Sequence, residues 1–169
     1  MNLTVKLFFL ILFLSQTCLA QHSTKTINDT WKNLKTQLQS RTDLVAGVTN
    51  TLTKSKQVDQ EELKKAKHIA ADLFRHVDTL QTLDSLSVSF ANYLNTNLTQ
   101  ALARSLMTLE RDRKHRNSVP VRDLLVQLEA IENRIMVAKM DYNHACTETN
   151  RPDLFFGSNA KAKAPEIKF

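Results

Sequence analysis

Apolar residues recur three and four apart through most of this chain, and four stretches of that spacing predict four long amphipathic helices. The first runs Ile27, Trp31, Leu34, Leu38, Val45, Val48 and Leu52, with Asn28 or Asp29 placed to cap its first turn. Arg41 interrupts this stripe, putting a charge where a hydrophobe is expected. Either its stem lies along the seam with its head in solvent, or it meets a carboxylate between helices.

The second stretch opens at "DQEE", where Asp59 can cap and Glu62 can answer it as a capping box. It continues as Leu63, Ala66, Ala70, Leu73, Val77 and Leu80, with Phe74 widening the face. A turn is expected near Asp84 to Ser89, where Ser and Asp cluster. The third stretch uses Phe90, Leu94, Leu98, Ala101, Ser105 or Leu106, and Leu109, and ends in the charged run "ERDRKHR". Ser118 and Pro120 mark the next start. The fourth is the most regular, with Val121, Leu124, Leu128, Ile131, Ile135, Ala138, Tyr142 and Ala145 keeping heptad spacing. Off its main seam lies a second row, Val126, Val137 and Met140, which either widens the buried face or contacts another chain. Short connections between long stripes describe an all-α antiparallel bundle of four helices.

Composition agrees with this reading and narrows the chemistry. The 169 residues include two glycines and three prolines, so Gly-rich phosphate loops have no raw material. The first twenty residues stand apart. "MNLTVKLFFLILFLSQTCLAQ" offers Lys6, an apolar block from Leu7 to Leu14, then polar residues and Ala20 at the candidate cut. Such a block covers about 12 Å as a helix, against about 30 Å of membrane hydrocarbon, so a cleaved export signal is favoured over a retained anchor. Lipid modification at Cys18 is a third option. The expected organisation is thus a signal at 1–20, a bundle at 21–155 and a flexible tail at 156–169, apart from aromatic residues that can dock. Cleavage would remove Cys18 and leave Cys146 alone, either a small buried residue or a thiol able to link two chains.

Candidate chemistry is sparse. His68, Asp72 and His76 share a rough face at spacing four, but without further ligands a solvated helix face is the better account, and no metal or other cofactor is expected. Glu110, Glu129 and Glu132 lack a companion nucleophile or oxyanion hole, so an enzyme is not expected. Arg111, Arg113, Lys114 and Arg116 form a basic tip that is either a solvated helix end or a contact for an anionic lipid surface; export argues against nucleic acid. Asn28 to Thr30 and Asn97 to Thr99 match the glycan acceptor pattern, which matters only in a eukaryotic secretory route.

The segment "QLEAIENRIMVAKMDYNHACTETN" resembles the LemA family, helical-bundle proteins of the bacterial envelope. Its elements are Leu128, Glu132, Asn133, Arg134, Ile135, Ala138, Tyr142, Asn143 and Asn150. A second match surrounds Trp31 and "QLQSRTDLV", with Gln37, Leu38, Arg41, Asp43, Leu44 and Val45. The chain departs from the family pattern at Ala46 and Gly47, at "RDRKHR", and at Thr149 beside Asn150. The resemblance implies a bundle and an envelope or periplasmic location, with a scaffold or partner-binding role rather than a reaction. Arg41, Asp43, Glu132, Asn133, Arg134, Tyr142 and Asn143 are its motif residues. Opposite charges on facing seams can fix helix register, so Arg41 is expected to pair with Glu132, and Tyr142 to bury its ring while its hydroxyl finds a partner. The partner expected is another envelope protein, with a second copy of the chain or a membrane surface also open. Two competing readings are a secreted four-helix signalling ligand of cytokine-like build and an amphipathic bundle that binds lipid.

Overall fold

The computed structural model describes the backbone of residues 3–157 and the side chains of residues 26–157. The side chains of residues 1–25, where an export signal is expected over 1–20, and all of residues 158–169 lie outside the described residues. Four long helices are present, α1 (Leu3–Leu52), α2 (Gln60–Thr79), α3 (Ser85–Leu109) and α5 (Val119–Glu148), with a single turn α4 (Arg113–Arg116) before the last. A 3-10 turn at Pro152–Leu154 follows, and among the described residues there is no strand.

The stripes explain the packing. Every apolar position expected on the first stripe is buried, Leu34, Leu38 and Val45 completely. Leu63, Leu73 and Val77 of α2, Leu94 and Leu98 of α3, and Ile131, Ile135 and Ala138 of α5 close the same core. Burying side chains of this size contributes about 1.5 to 3 kcal/mol each, so the core outweighs any single polar contact. α1 packs against both α5 and α2, and α2 against α3.

Several expected boundaries shift. The first helix does not start at Asn28 or Asp29, because α1 passes straight through both. No Gly or Pro precedes Gly47 to stop it, and both side chains are exposed, so neither is needed as a cap. The turn between α2 and α3 covers residues 80–84 rather than 84–89. Asp84 is the cap of α3 rather than part of the turn proper, and accepts the Ser87 amide at 2.9 Å. Asp59 does cap α2, accepting from the amides of Glu61 and Glu62. The capping box stays half-formed, since Glu62 reaches across to Arg104 at 3.1 Å instead. Phe74 does not widen the buried face; it is 40% exposed. The run "ERDRKHR" does not belong to α3, because Asp112 restarts the chain as α4 by capping the His115 amide at 3.1 Å.

That turn is tied down. Asp112 Oδ2 accepts from the Ser55 hydroxyl at 2.6 Å, and His115 Nε2 lies 3.1 Å from the Thr51 carbonyl, so it docks on the connection between α1 and α2. Ser55 is itself buried.

Candidate functional site

Two groups of motif residues are brought together, one mid-bundle and one at the pole where α1 packs against the end of α5. In the first, the Arg41 side chain is 1% exposed and its Nε sits 2.7 Å from Glu132 Oε1 on α5. The pairing expected between the first and last stripes is therefore present. Two further partners come from α3. Nη1 donates to Asn95 Oδ1 at 2.6 Å and Nη2 to the Thr99 hydroxyl at 2.8 Å. One guanidinium thus fastens three helices. Burial pushes its pKa down, and the Glu132 charge opposes that shift. Glu132 keeps a wet edge, with 37% of its side chain exposed, so the carboxylate is only partly desolvated.

Asn95 and Thr99 carry no periodic signal. They are polar residues on an amphipathic helix, and only the crossing of α3 over Arg41 gives them a role. Thr99 also belongs to the Asn97 to Thr99 acceptor pattern, which lies inside α3.

At the pole, Tyr142 is fully buried with its ring 5.4 Å from that of Trp31, and Phe156 stands 6.3 Å from the same indole. Asn143 holds the Phe156 backbone twice, donating to its carbonyl at 3.0 Å and accepting from its amide at 2.8 Å. Asn150 ends α5 in a left-handed conformation, φ 54°, which lets the Arg151 amide close on the Cys146 carbonyl at 2.8 Å. The chain then turns back through Leu154 to Phe156, both buried. Phe156, placed by the sequence at the start of the flexible tail, is one of the aromatic residues able to dock, and its ring seals the core.

The hydroxyl of Tyr142 departs from expectation. Among the described residues it has no nitrogen or oxygen partner. Burial first, and then the neighbouring Cys146 thiol, raise the phenol far above its ordinary pKa. Cys146 is buried and free, and burial raises its thiol too. The reading of Cys146 as a small core residue therefore holds over that of an accessible thiol.

The remaining motif residues face outward. Asp43 is exposed and lines a groove of about 540 Å³ between α1 and α2, with Lys67, Phe74, Arg75 and Asp78. Asn133 and Arg134 are exposed beside a groove of about 380 Å³ between α1 and α5, which Asn33, Gln37 and Val137 also line. Arg111, Arg113, Lys114 and Arg116 are all exposed, and Arg116 meets Glu110 at 3.0 Å. His68 lies 3.4 Å from Asp72, while His76 turns to the Ser87 carbonyl at 2.8 Å, so the three do not converge.

Both groups centre on the two segments that carry the resemblance, joined by Asn95 and Thr99 of α3 in the first and by Phe156 in the second. Residues 30–169 match the LemA family model. The chain belongs to the LemA family. No curated protein matches it. The LemA match takes in α1 from residue 30 and all of α3 and α5, the three helices that Arg41 joins, and it includes the pole residues that fold the end of α5 back onto Trp31. In this LemA protein Arg41, Glu132, Tyr142 and Asn143 therefore serve the fold, while Asp43, Asn133 and Arg134 face outward.

Proposed function

We propose that this LemA protein is a non-catalytic, exported helical bundle of the bacterial cell envelope that acts as a scaffold by binding another envelope protein. The observation that carries the reading is the way its motif polar groups are used. Arg41 and Glu132 link helices, Asn143 grips a main chain, and Asn150 terminates a helix, so each is engaged in holding the fold. A group fixed in that manner is not poised to activate a nucleophile. The apolar block from Leu7 to Leu14 supports export.

The α1–α2 groove supplies a surface of mixed character, with the Phe74 ring set among Asp43, Lys67, Arg75 and Asp78. An aromatic anchor rimmed by both charge signs suits a protein segment better than a uniformly charged ligand. A photo-crosslinker placed at Phe74 in the native envelope is expected to trap one envelope protein, and the same group at exposed Lys65 to trap none. Only the same abundant proteins from both positions would remove the scaffold reading.

The exposed Arg111, Arg113 and Lys114 favour a second reading, contact with an anionic lipid surface. Flotation with vesicles containing an anionic phospholipid tests it. Retention in solution at low salt discards it.

A further inference from the structure

α5 carries two apolar rows on opposite faces, and only one of them is covered. The inner row, Leu128, Ile131, Ile135, Ala138 and Tyr142, faces the core. The outer row runs Val126, Ala130, Asn133, Val137 and Met140, with intervals of four, three, four and three residues. Val126, Val137 and Met140 are 65, 53 and 65% exposed, and Ala130 and Asn133 are exposed as well. Scattered surface hydrophobes need no explanation, but an alternating four-three row along one helix is the spacing of a helix-pairing seam. It covers about 21 Å of helix at 1.5 Å per residue, bounded by polar Asp123 and His144.

We propose that this row is where a second copy of the chain docks, with the two α5 helices parallel and side by side about a two-fold axis. The flanking charges select both the partner and the direction. Glu129 and Arg134 lie on opposite sides of the row, five residues apart, and both are exposed. In a parallel pair, Glu129 of each copy meets Arg134 of the other, giving two symmetric ion pairs from a single sequence. The other flanking positions in that register set Arg122 against Gln127 and Met136 against Asp141, so no like charges oppose. Asn133 decides between directions. Parallel helices place the two Asn133 amides together, where each satisfies the other. An antiparallel pair would press the amide against Val137 or Ala130 and leave it unsatisfied. The residues of the row all belong to α5 and border the α1–α5 groove, away from the α1–α2 groove assigned above to a protein partner, so either proposal can fail without the other.

Sedimentation equilibrium of the full chain tests the pairing over about 1 to about 100 micromolar, the range for a short seam. A dimer is expected. Val137→Glu should leave the chain monomeric with an unchanged helical circular dichroism spectrum. Glu129→Arg should weaken association about tenfold, and Glu129→Arg combined with Arg134→Glu in one chain should restore it, because the pairs are then rebuilt with reversed sign. In a Cys18→Ser background, Asn133→Cys should form a disulfide-linked dimer under mild oxidation. A monomer at every concentration overturns the proposal. So does association that survives Val137→Glu, a double charge reversal no tighter than the single one, or binding of this face to lipid vesicles by a chain that stays monomeric.

Discussion

Asn143 grips Phe156 by both main-chain groups, 3.0 Å to its carbonyl and 2.8 Å to its amide, so one amide side chain holds the segment that follows α5 against the bundle. The two bonds close a loop that starts where Asn150 breaks α5. The Phe156 ring beside Trp31 supplies the apolar part of the same closure.

Asn143→Ala should therefore free the segment from Arg151 to Gly157. Leaving two buried backbone groups without partners costs about 1 to 3 kcal/mol each, reduced where water reaches them. Trp31 is the one tryptophan in the sequence, so its emission reports on the closure. A red shift, with faster hydrogen exchange at the Phe156 amide, is the expected result.

Arg41 and Glu132 should not be equivalent in mutation. Arg41→Ala removes the group that joins three helices and opens a cavity, for an expected loss of about 2 to 5 kcal/mol in urea unfolding. Glu132→Gln leaves Asn95 and Thr99 in place but takes the carboxylate from a guanidinium that is itself buried, so about 1 to 3 kcal/mol is expected, limited by the water that reaches position 132. Arg41→Lys should resemble the alanine variant more than the wild type, since an ammonium cannot span Glu132, Asn95 and Thr99 together.

Tyr142→Phe should be neutral or stabilising by up to about 1 kcal/mol. The hydroxyl is buried without an oxygen or nitrogen partner among the described residues, so deleting it removes a desolvated polar group and keeps the ring against Trp31. Thermal unfolding of the two proteins compares them directly. A loss above about 1 kcal/mol would show that the hydroxyl has a partner after all.

Acid should loosen the far pole through Asp112. The Ser55 hydroxyl, and then the His115 amide, hold its carboxyl below the usual range. A depressed folded value means that the contribution is present above the ordinary carboxylate pKa and is lost as pH falls through the folded one. Asp112→Asn should flatten that part of the acid limb of a stability–pH profile and leave the slope above neutral pH unchanged.

The four stripes were legible because period 3.6 marks which residues face inward, and Arg41 was legible because it broke that period. Its pairing with Glu132 followed from the family resemblance, which picks out both residues, together with opposite charges on facing seams. Asn95 and Thr99 were not, since a polar residue on a wet helix flank looks the same whether or not a guanidinium crosses it. The α2–α3 boundary slipped because Asp84, Ser85 and Ser87 suit both a turn and the first turn of a capped helix. The start of the first helix was misplaced for a related reason: Asn28 and Asp29 can cap, yet nothing there forces the chain to begin. Asn143 and Asn150 gave a family signal without revealing their tasks, because both act on backbone that returns from beyond the helix.

With Phe156 seated beside Trp31, the polypeptide enters the packed bundle and returns to it at one and the same pole, while the basic turn around Lys114 sits at the other. Tension applied between the leading and trailing segments would consequently bypass the long seams and load the two Asn143 bonds in sequence. The bundle is built to peel at its hem under a pull, well before any helix is dragged out of register.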